Sequence, residues 1–203
     1  MIWTADLAYV VGLLVTDGCL SKDGRHIDLT SKDIEQIQNF IHILNLNCKI
    51  THKNSSTSNN IYYRAQFSNV KLYRFLVEIG LTPAKSKTIG SIDIPRKFFI
   101  DYLRGCIDGD GYTYSYWDPR WKNSFMLYTG FVSASLRHLI WLKETIEHYY
   151  GIKGHIKSSA RAYNLVFGKK ASVILLQKIY YRNDLICLKR KLFKVQQALD
   201  IIR

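Results

Sequence analysis

Apolar positions along the chain follow two periods, and the two sets alternate. Residues Leu7 to Val15 form an apolar run that stops abruptly at Asp17 and Gly18, which predicts a buried helix ended by its own sequence. In LTSKDIEQIQNFIHIL (29–44), Ile34, Ile37, Phe40, Ile41 and Leu44 fall on one face of a 3.6-residue helix. Farther on, Leu72, Phe75, Leu76 and Ile79 do the same. Between these helices the period drops to two: Ile27 and Leu29 alternate with His26, Asp28 and Thr30, and Ile61, Tyr63, Ala65 and Phe67 alternate with Tyr62, Arg64 and Gln66. Such segments are strands with one wet face.

The same order returns in the second half of the chain. LRGCIDGDG (103–111) repeats VVGLLVTDG (10–18), with Gly12, Asp17 and Gly18 answered by Gly105, Asp110 and Gly111 at an offset of 93. FVSASLRHLIWLKETI (131–146), with Leu136, Leu139, Ile140 and Ile146 on one face, parallels residues 29–44, and ASVILLQKIY (171–180) parallels KLYRFLVEIG (71–80). Strand-like stretches lie at 112–117, 125–131, 155–158 and 163–167. Each half therefore reads helix, two strands, helix, two strands, helix. The predicted class is α+β, a pseudo-symmetric duplication of αββαββα. The first repeat spans 1–82 and the second 95–203. A linker over 83–94 is flanked by two of the three prolines, Pro83 and Pro95, and Pro95 suits the first turn of the next helix.

The glycines carry chemical information. Gly12 and Gly105 sit inside helices, where glycine costs roughly 1 kcal/mol relative to alanine; close approach of two helices is the usual reason. Gly18 and Gly111 are expected to turn left-handed at helix ends, leaving Asp17 and Asp110 as the last outward residues. Packed through their glycines, the two helices would bring both carboxylates to one spot, where the helix C-termini are already negative. A hard divalent cation with oxygen ligands resolves such repulsion, and Mg²⁺ beside phosphate is its commonest use.

Charge names the partner class. The 203 residues hold 29 Lys and Arg against 16 Asp and Glu, a net +13. Residues 1–94 carry ten basic and eight acidic side chains, whereas 95–203 carry nineteen and eight. This surplus favours a polyanion, since each neutralised phosphate releases counterions. No apolar run is long enough to span a bilayer, and the chain shows no secretory signal, so an intracellular, non-secreted protein is expected. Cys19, Cys48, Cys106 and Cys187 are scattered without a CxxC pair and the histidines do not supply zinc spacing; reduced thiols are expected. DGDGY resembles the start of a calcium loop, but the twelfth position is Pro119 rather than Glu, which excludes an EF-hand.

VVGLLVTDG and LRGCIDGDG resemble the two motifs of the LAGLIDADG homing endonuclease family in its single-chain, two-motif form, over essentially the whole chain. The second match is close. The first is looser, with Val15 where the consensus has Asp and Thr16 where it has Ala. The resemblance implies a monomer whose two sheets form a DNA-binding saddle around two central motif helices, and Mg²⁺-dependent double-strand cleavage, with Mn²⁺ or Ca²⁺ able to take the metal's place. It makes Asp17 and Asp110 the metal-binding acids. It also implies catalytic lysines in LTPAKSK (81–87) and ICLKRK (186–191): Lys85 and Lys191 align with each other, while Lys189 sits closest to the family's lysine. Ser31 and Ser133 occupy matching positions where members often carry a water-organising residue. Asp108, answered by Val15 in the first repeat, is expected to be structural. His26, Tyr62, Arg64, Gln66, Lys157 and Arg161 are candidate DNA contacts, because a two-stranded ribbon fits the major groove. Tyr114, Tyr116, Trp117 and Trp121 lie in an insertion absent from the first repeat and could line DNA or cap the sheet. Intron RNA, as the partner of a maturase, and a non-cleaving DNA-binding regulator are the alternative readings.

Overall fold

The computed structural model describes residues 1–54 and 61–202. The first half runs α1 (Ala5–Thr16), β1 (Gly18–Leu20), β2 (His26–Ser31), α2 (Ile34–Ile43), β3 (Ile50–Asn54), β4 (Ile61–Ser68) and α3 (Val70–Glu78). The second runs α4 (Phe99–Asp108), β5 (Tyr112–Trp117), β6 (Phe125–Ser133), α5 (Leu136–Tyr150), β7 (His155–Ser158), β8 (Tyr163–Phe167) and α6 (Lys169–Ile179). Each half builds a four-stranded antiparallel sheet, ordered β1-β2-β4-β3 and β5-β6-β8-β7. Identical strand order is the three-dimensional form of the sequence repeat.

A final helix, α7 (Lys189–Ile202), has no counterpart among the described residues of the first half, where a 3₁₀ turn over Lys85–Lys87 stands instead. It lies against β5 and β6. There Val195 and Ala198 join Phe125, Leu127 and Leu176 in a small second core.

The main core forms around α1 and α4. Every residue from Leu7 to Val15 is buried, which explains why that stretch is apolar all round rather than amphipathic. A Cβ on Gly12 would lie 2.3 Å from the Tyr102 carbonyl oxygen and 2.9 Å from the Gly105 Cα. One on Gly105 would lie 2.1 Å from the Tyr9 carbonyl oxygen and 3.0 Å from the Gly12 Cα. The two backbones thus touch reciprocally, and only glycine permits it.

Gly18 and Gly111 depart from expectation. Left-handed glycines occur at 24, 80 and 151 instead, and α1 closes in the right-handed region, with Asp17 itself as the cap at φ −96°. Glycine is required at 18 and 111 by crowding: a Cβ would sit 2.6 Å from the Cα of Leu14 and of Ile107, respectively. The strand therefore leaves folded back on its own helix. Ile34, Leu136 and Ile140, placed above on the apolar faces of their helices, are exposed; they lie at the edges of stripes whose centres, Ile37, Phe40, Leu139 and Ile146, are buried. Residues 83–94 pack into the molecule, with Lys85, Ile89 and Ile92 buried, and Pro95 precedes a 3₁₀ turn over Arg96–Phe98 that leads into α4.

Candidate active site and nucleic-acid face

Because α1 and α4 cross at their glycines and point the same way, their acidic ends meet. Gly109 makes the last approach possible: a Cβ there would fall 1.9 Å from Thr16 Oγ1 and 3.0 Å from Asp17 Oδ2. The end of one motif thus rests on the acid of the other. Burial, then the charge of Asp110, raises the Asp17 carboxyl to about 6, against the opposing pull of Gln36, Lys191 and Lys85. Asp110 is exposed to solvent, but the protein atoms packed around it still raise its carboxyl, opposed by the same two lysines. Removing water from a carboxylate and placing another beside it both disfavour the charged form.

The lysines answer the negative helix ends. Lys191 Nζ lies within hydrogen-bond distance of the carbonyls of Ile107 (2.6 Å), Asp108 (3.0 Å), Gly109 (2.9 Å) and Gly111 (2.9 Å), so an ammonium caps the C-terminus of α4. Lys85 Nζ donates to the Gly18 carbonyl at 2.7 Å, at the end of α1. Burial lowers the pKa of both lysines, and the neighbouring acids resist that fall. Lys189 is placed differently. Its side chain is exposed, and its backbone N–H donates to Glu35 Oε2 at 3.2 Å.

Asp108 points away from this pair. It accepts from the Tyr9 hydroxyl at 2.8 Å and from the Leu188 N–H at 2.7 Å, tying α1 to α4 and fixing the start of α7. Gln36, which sequence reasoning missed, donates to Asp17 Oδ2 at 2.8 Å. Its own carbonyl accepts from Ser31 Oγ at 3.0 Å, and Ser31 Oγ accepts from the Asp33 N–H at 3.1 Å. The signal was present: a glutamine beside Ile37 on a core-facing stripe must find a polar partner. Ser133 repeats only part of this, accepting from the Ser135 N–H at 3.1 Å.

Residues 26, 28 and 30 share a sheet face with 68, 66 and 64, so His26, Tyr62, Arg64 and Gln66 stand together on the open side of the first sheet. His26 is hydrogen-bonded to Asp23, Arg64 pairs with Asp28 at 2.7 Å, the Lys32 ammonium lies 5.4 Å from the centre of the Tyr62 ring, and Gln66 is exposed. Lys157 and Arg161 are exposed at the far edge of the second sheet. The open face of that sheet is aromatic: Tyr114, Tyr116 and Tyr128 cluster with ring centres 5.2 to 6.5 Å apart. Tyr114 and Tyr116 belong to β5 itself, twice as long as β1, so the extra residues lengthen a strand. Trp117 faces the other side and packs edge-on against Phe125, while Trp121 is exposed in the connecting turn. The cysteines are free thiols.

Two oxygen-donor carboxylates suit a hard cation. Asp110 has no hydrogen-bond donor among the described residues, and Asp17 has one oxygen held by Gln36. No group of three or more His, Cys, Asp or Glu forms a metal cluster among the described residues, so further ligands would come from solvent or phosphate. No helix among them is long and apolar enough to cross a membrane.

Residues 4–80 match the family described as LAGLIDADG-like domain. The first half of the chain is thus similar to a LAGLIDADG-like domain. No curated protein matches the sequence, but solved structures extend the likeness to both halves. The homing endonuclease I-WcaI bound to its DNA recognition sequence aligns with a TM-score of 0.67 at 12% identity, over 95% of this chain and 88% of that one. I-DmoI in complex with DNA and Mn aligns at 0.55 with 19% identity, over 88% and 98%. Full-length DUF199/WhiA from Thermatoga maritima aligns at 0.62 with 13% identity, over all of this chain. The present chain spans 63% of that protein's length. At these identities the likeness establishes the fold, which is the LAGLIDADG homing endonuclease fold throughout.

Proposed function

We propose that this LAGLIDADG protein is a monomeric, site-specific homing endonuclease that makes Mg²⁺-dependent double-strand breaks in a long DNA target. The observation that carries this reading is the meeting of Asp17 and Asp110 at paired helix ends, each with a lysine beside it, Lys85 buried and Lys191 half-buried. The charge supports a nucleic-acid partner, and I-WcaI and I-DmoI, which share the fold, are described in complex with DNA. I-DmoI is described with Mn and, in a further structure, with Ca, which agrees with a divalent ion between two hard carboxylates.

Asp17 and Asp110 would hold the metal, which when bound supplies Lewis-acid stabilisation and an activated water. The rest falls to the protein. Lys85 and Lys191 stand next to the acids, where an ammonium favours negative charge developing on a phosphate oxygen. The open sheet faces hold the duplex by phosphate contacts and read bases in the major groove, through Arg64, Gln66 and Lys157 above all.

The test uses targets selected by binding from a randomised duplex library in Ca²⁺ and then given Mg²⁺. Wild-type protein is expected to yield linear product, and Asp17→Asn and Asp110→Asn each to abolish it while retaining binding. Cleavage of both strands at the wild-type rate by either variant would refute the assignment. The likeness to DUF199/WhiA, which is not described as an endonuclease, supports a second reading as a non-cleaving DNA-binding protein; wild-type binding without cleavage would select it. Binding to intron RNA in preference to duplex DNA would point to a maturase.

A further inference from the structure

The repeat extends into the site at an offset of 102: Ser31, Asp33, Gln36 and Phe40 correspond to Ser133, Ser135, His138 and Leu142. The first two pairs keep their geometry, since in each half the serine hydroxyl accepts an N–H two residues on. The third pair breaks it. Gln36 reaches inward and donates to the Asp17 carboxylate. His138 turns the other way: its Nδ1 donates to the Gly90 carbonyl at 2.7 Å, and its Nε2 accepts from the Tyr102 hydroxyl at 3.2 Å. Both ring nitrogens are engaged away from Asp110, and burial favours the neutral ring.

Space records the same difference. A cavity of about 140 Å³ lies beside Asp110, lined among others by Lys85, Phe131, Ser133, His138 and Leu142. Its lining at 131, 133, 138 and 142 corresponds to 29, 31, 36 and 40 in the first half, the neighbourhood that the Gln36 side chain occupies. One acid is held by an amide of the protein. The other faces a space wide enough for water, to which Thr16, Lys85 and Ser133 bring polar groups.

We propose that the two DNA strands are cut at unequal rates, and that Gln36 sets the difference as the positioning residue of the Asp17 half. The inference rests on the endonuclease reading above. An amide that already fixes the Asp17 carboxylate spares that half the ordering of a side chain when substrate and metal arrive, whereas Asp110 must be ordered at that moment. Immobilising one such side chain corresponds to a rate ratio of roughly two- to tenfold.

The experiment labels each strand of a selected target in turn and follows nicking in Mg²⁺. Wild-type protein is expected to cut one strand two- to tenfold faster. Gln36→Met, which keeps volume but cannot donate, should slow that strand alone and bring the ratio towards one. Gln36→Glu, of the same shape but with a second carboxylate facing Asp17, should not restore it. The slower strand is the internal control for folding, because a general structural defect slows both strands together. Equal cutting by wild-type protein, or an equal loss on both strands in Gln36→Met, overturns the inference and leaves the endonuclease reading intact. If wild-type protein binds the target and cuts neither strand, both fall.

Discussion

At Asp17 three influences meet on one carboxylate: burial, the charge of Asp110, and an amide and two ammoniums that pull against them. The net effect raises its pKa from 3.8 to about 6, so the folded chain holds that proton more tightly than the unfolded chain. A raised carboxyl contributes stability below the unfolded value and loses it as pH rises through the folded one. In the absence of metal, Asp17→Asn is therefore expected to melt above wild type at pH 7 to 8, by on the order of a few degrees. The gap should close as pH falls from 6 towards 4. Thermal melts in a chelator across that range check this, and a variant less stable than wild type at pH 8 would contradict it. Acids that lower the stability of the chain that carries them are a common mark of a working site.

The residue scale also separates the two lysines near the end of the chain by position. Lys189 and Lys191 are two apart; aligning the repeats pairs Lys191 with Lys85, whereas the resemblance to the family places its lysine closest to Lys189. The phase of the last helix separates them. Leu188, Val195 and Ala198 are buried, and 191 lies three residues from 188 and four from 195, on the same stripe. A lysine on an apolar stripe is being asked to reach something, and here that is the end of α4.

At the scale of elements, the crossing of α1 and α4 rests on hydrogen atoms standing where side chains would be. Gly12→Ala puts a methyl group 2.3 Å from a carbonyl oxygen and Gly105→Ala one at 2.1 Å; neither contact is a flexible side chain that could move aside. Each substitution is expected to cost about 3 kcal/mol, measurable by urea unfolding, and to lower DNA cleavage by separating the acids. A loss under about 0.5 kcal/mol would mean that the helices slide apart freely. Much at this scale was legible beforehand. The periods of two and 3.6 gave the order of elements, and the repeated glycines gave the crossing. The fold-back at Gly18 and Gly111 was not legible, because a glycine after a helix looks the same whether it relieves left-handed strain or crowding. The exposure of the outer positions Ile34, Leu136 and Ile140 was not legible, because periodicity places a residue on a helix face but does not say how wide a stripe of that face is covered.

For the whole molecule, duplication accounts for the frame and divergence for the chemistry. The first sheet offers His26, Arg64 and Gln66, with Asp28 holding the arginine; the second offers a tyrosine cluster. Alternation identified these faces, but not the pairing that restrains Arg64, which needs the register between β2 and β4. With a net charge of +13, DNA affinity should fall steeply with salt, with a logarithmic slope of about −0.9 per phosphate contacted. Titration of a labelled duplex between 50 and 200 mM salt, roughly a thousandfold loss for six contacts, tests this; a flat response would exclude an extended backbone interface.

The clasp on the second motif has a consequence for synthesis. Lys191 arrives some eighty residues after the carbonyls it neutralises, and Leu188, which anchors its helix to Asp108, arrives just ahead of it. A nascent chain holding both acids but not yet that lysine has an unclosed centre. Truncated products would therefore lack the closed centre on which the proposed cleavage depends.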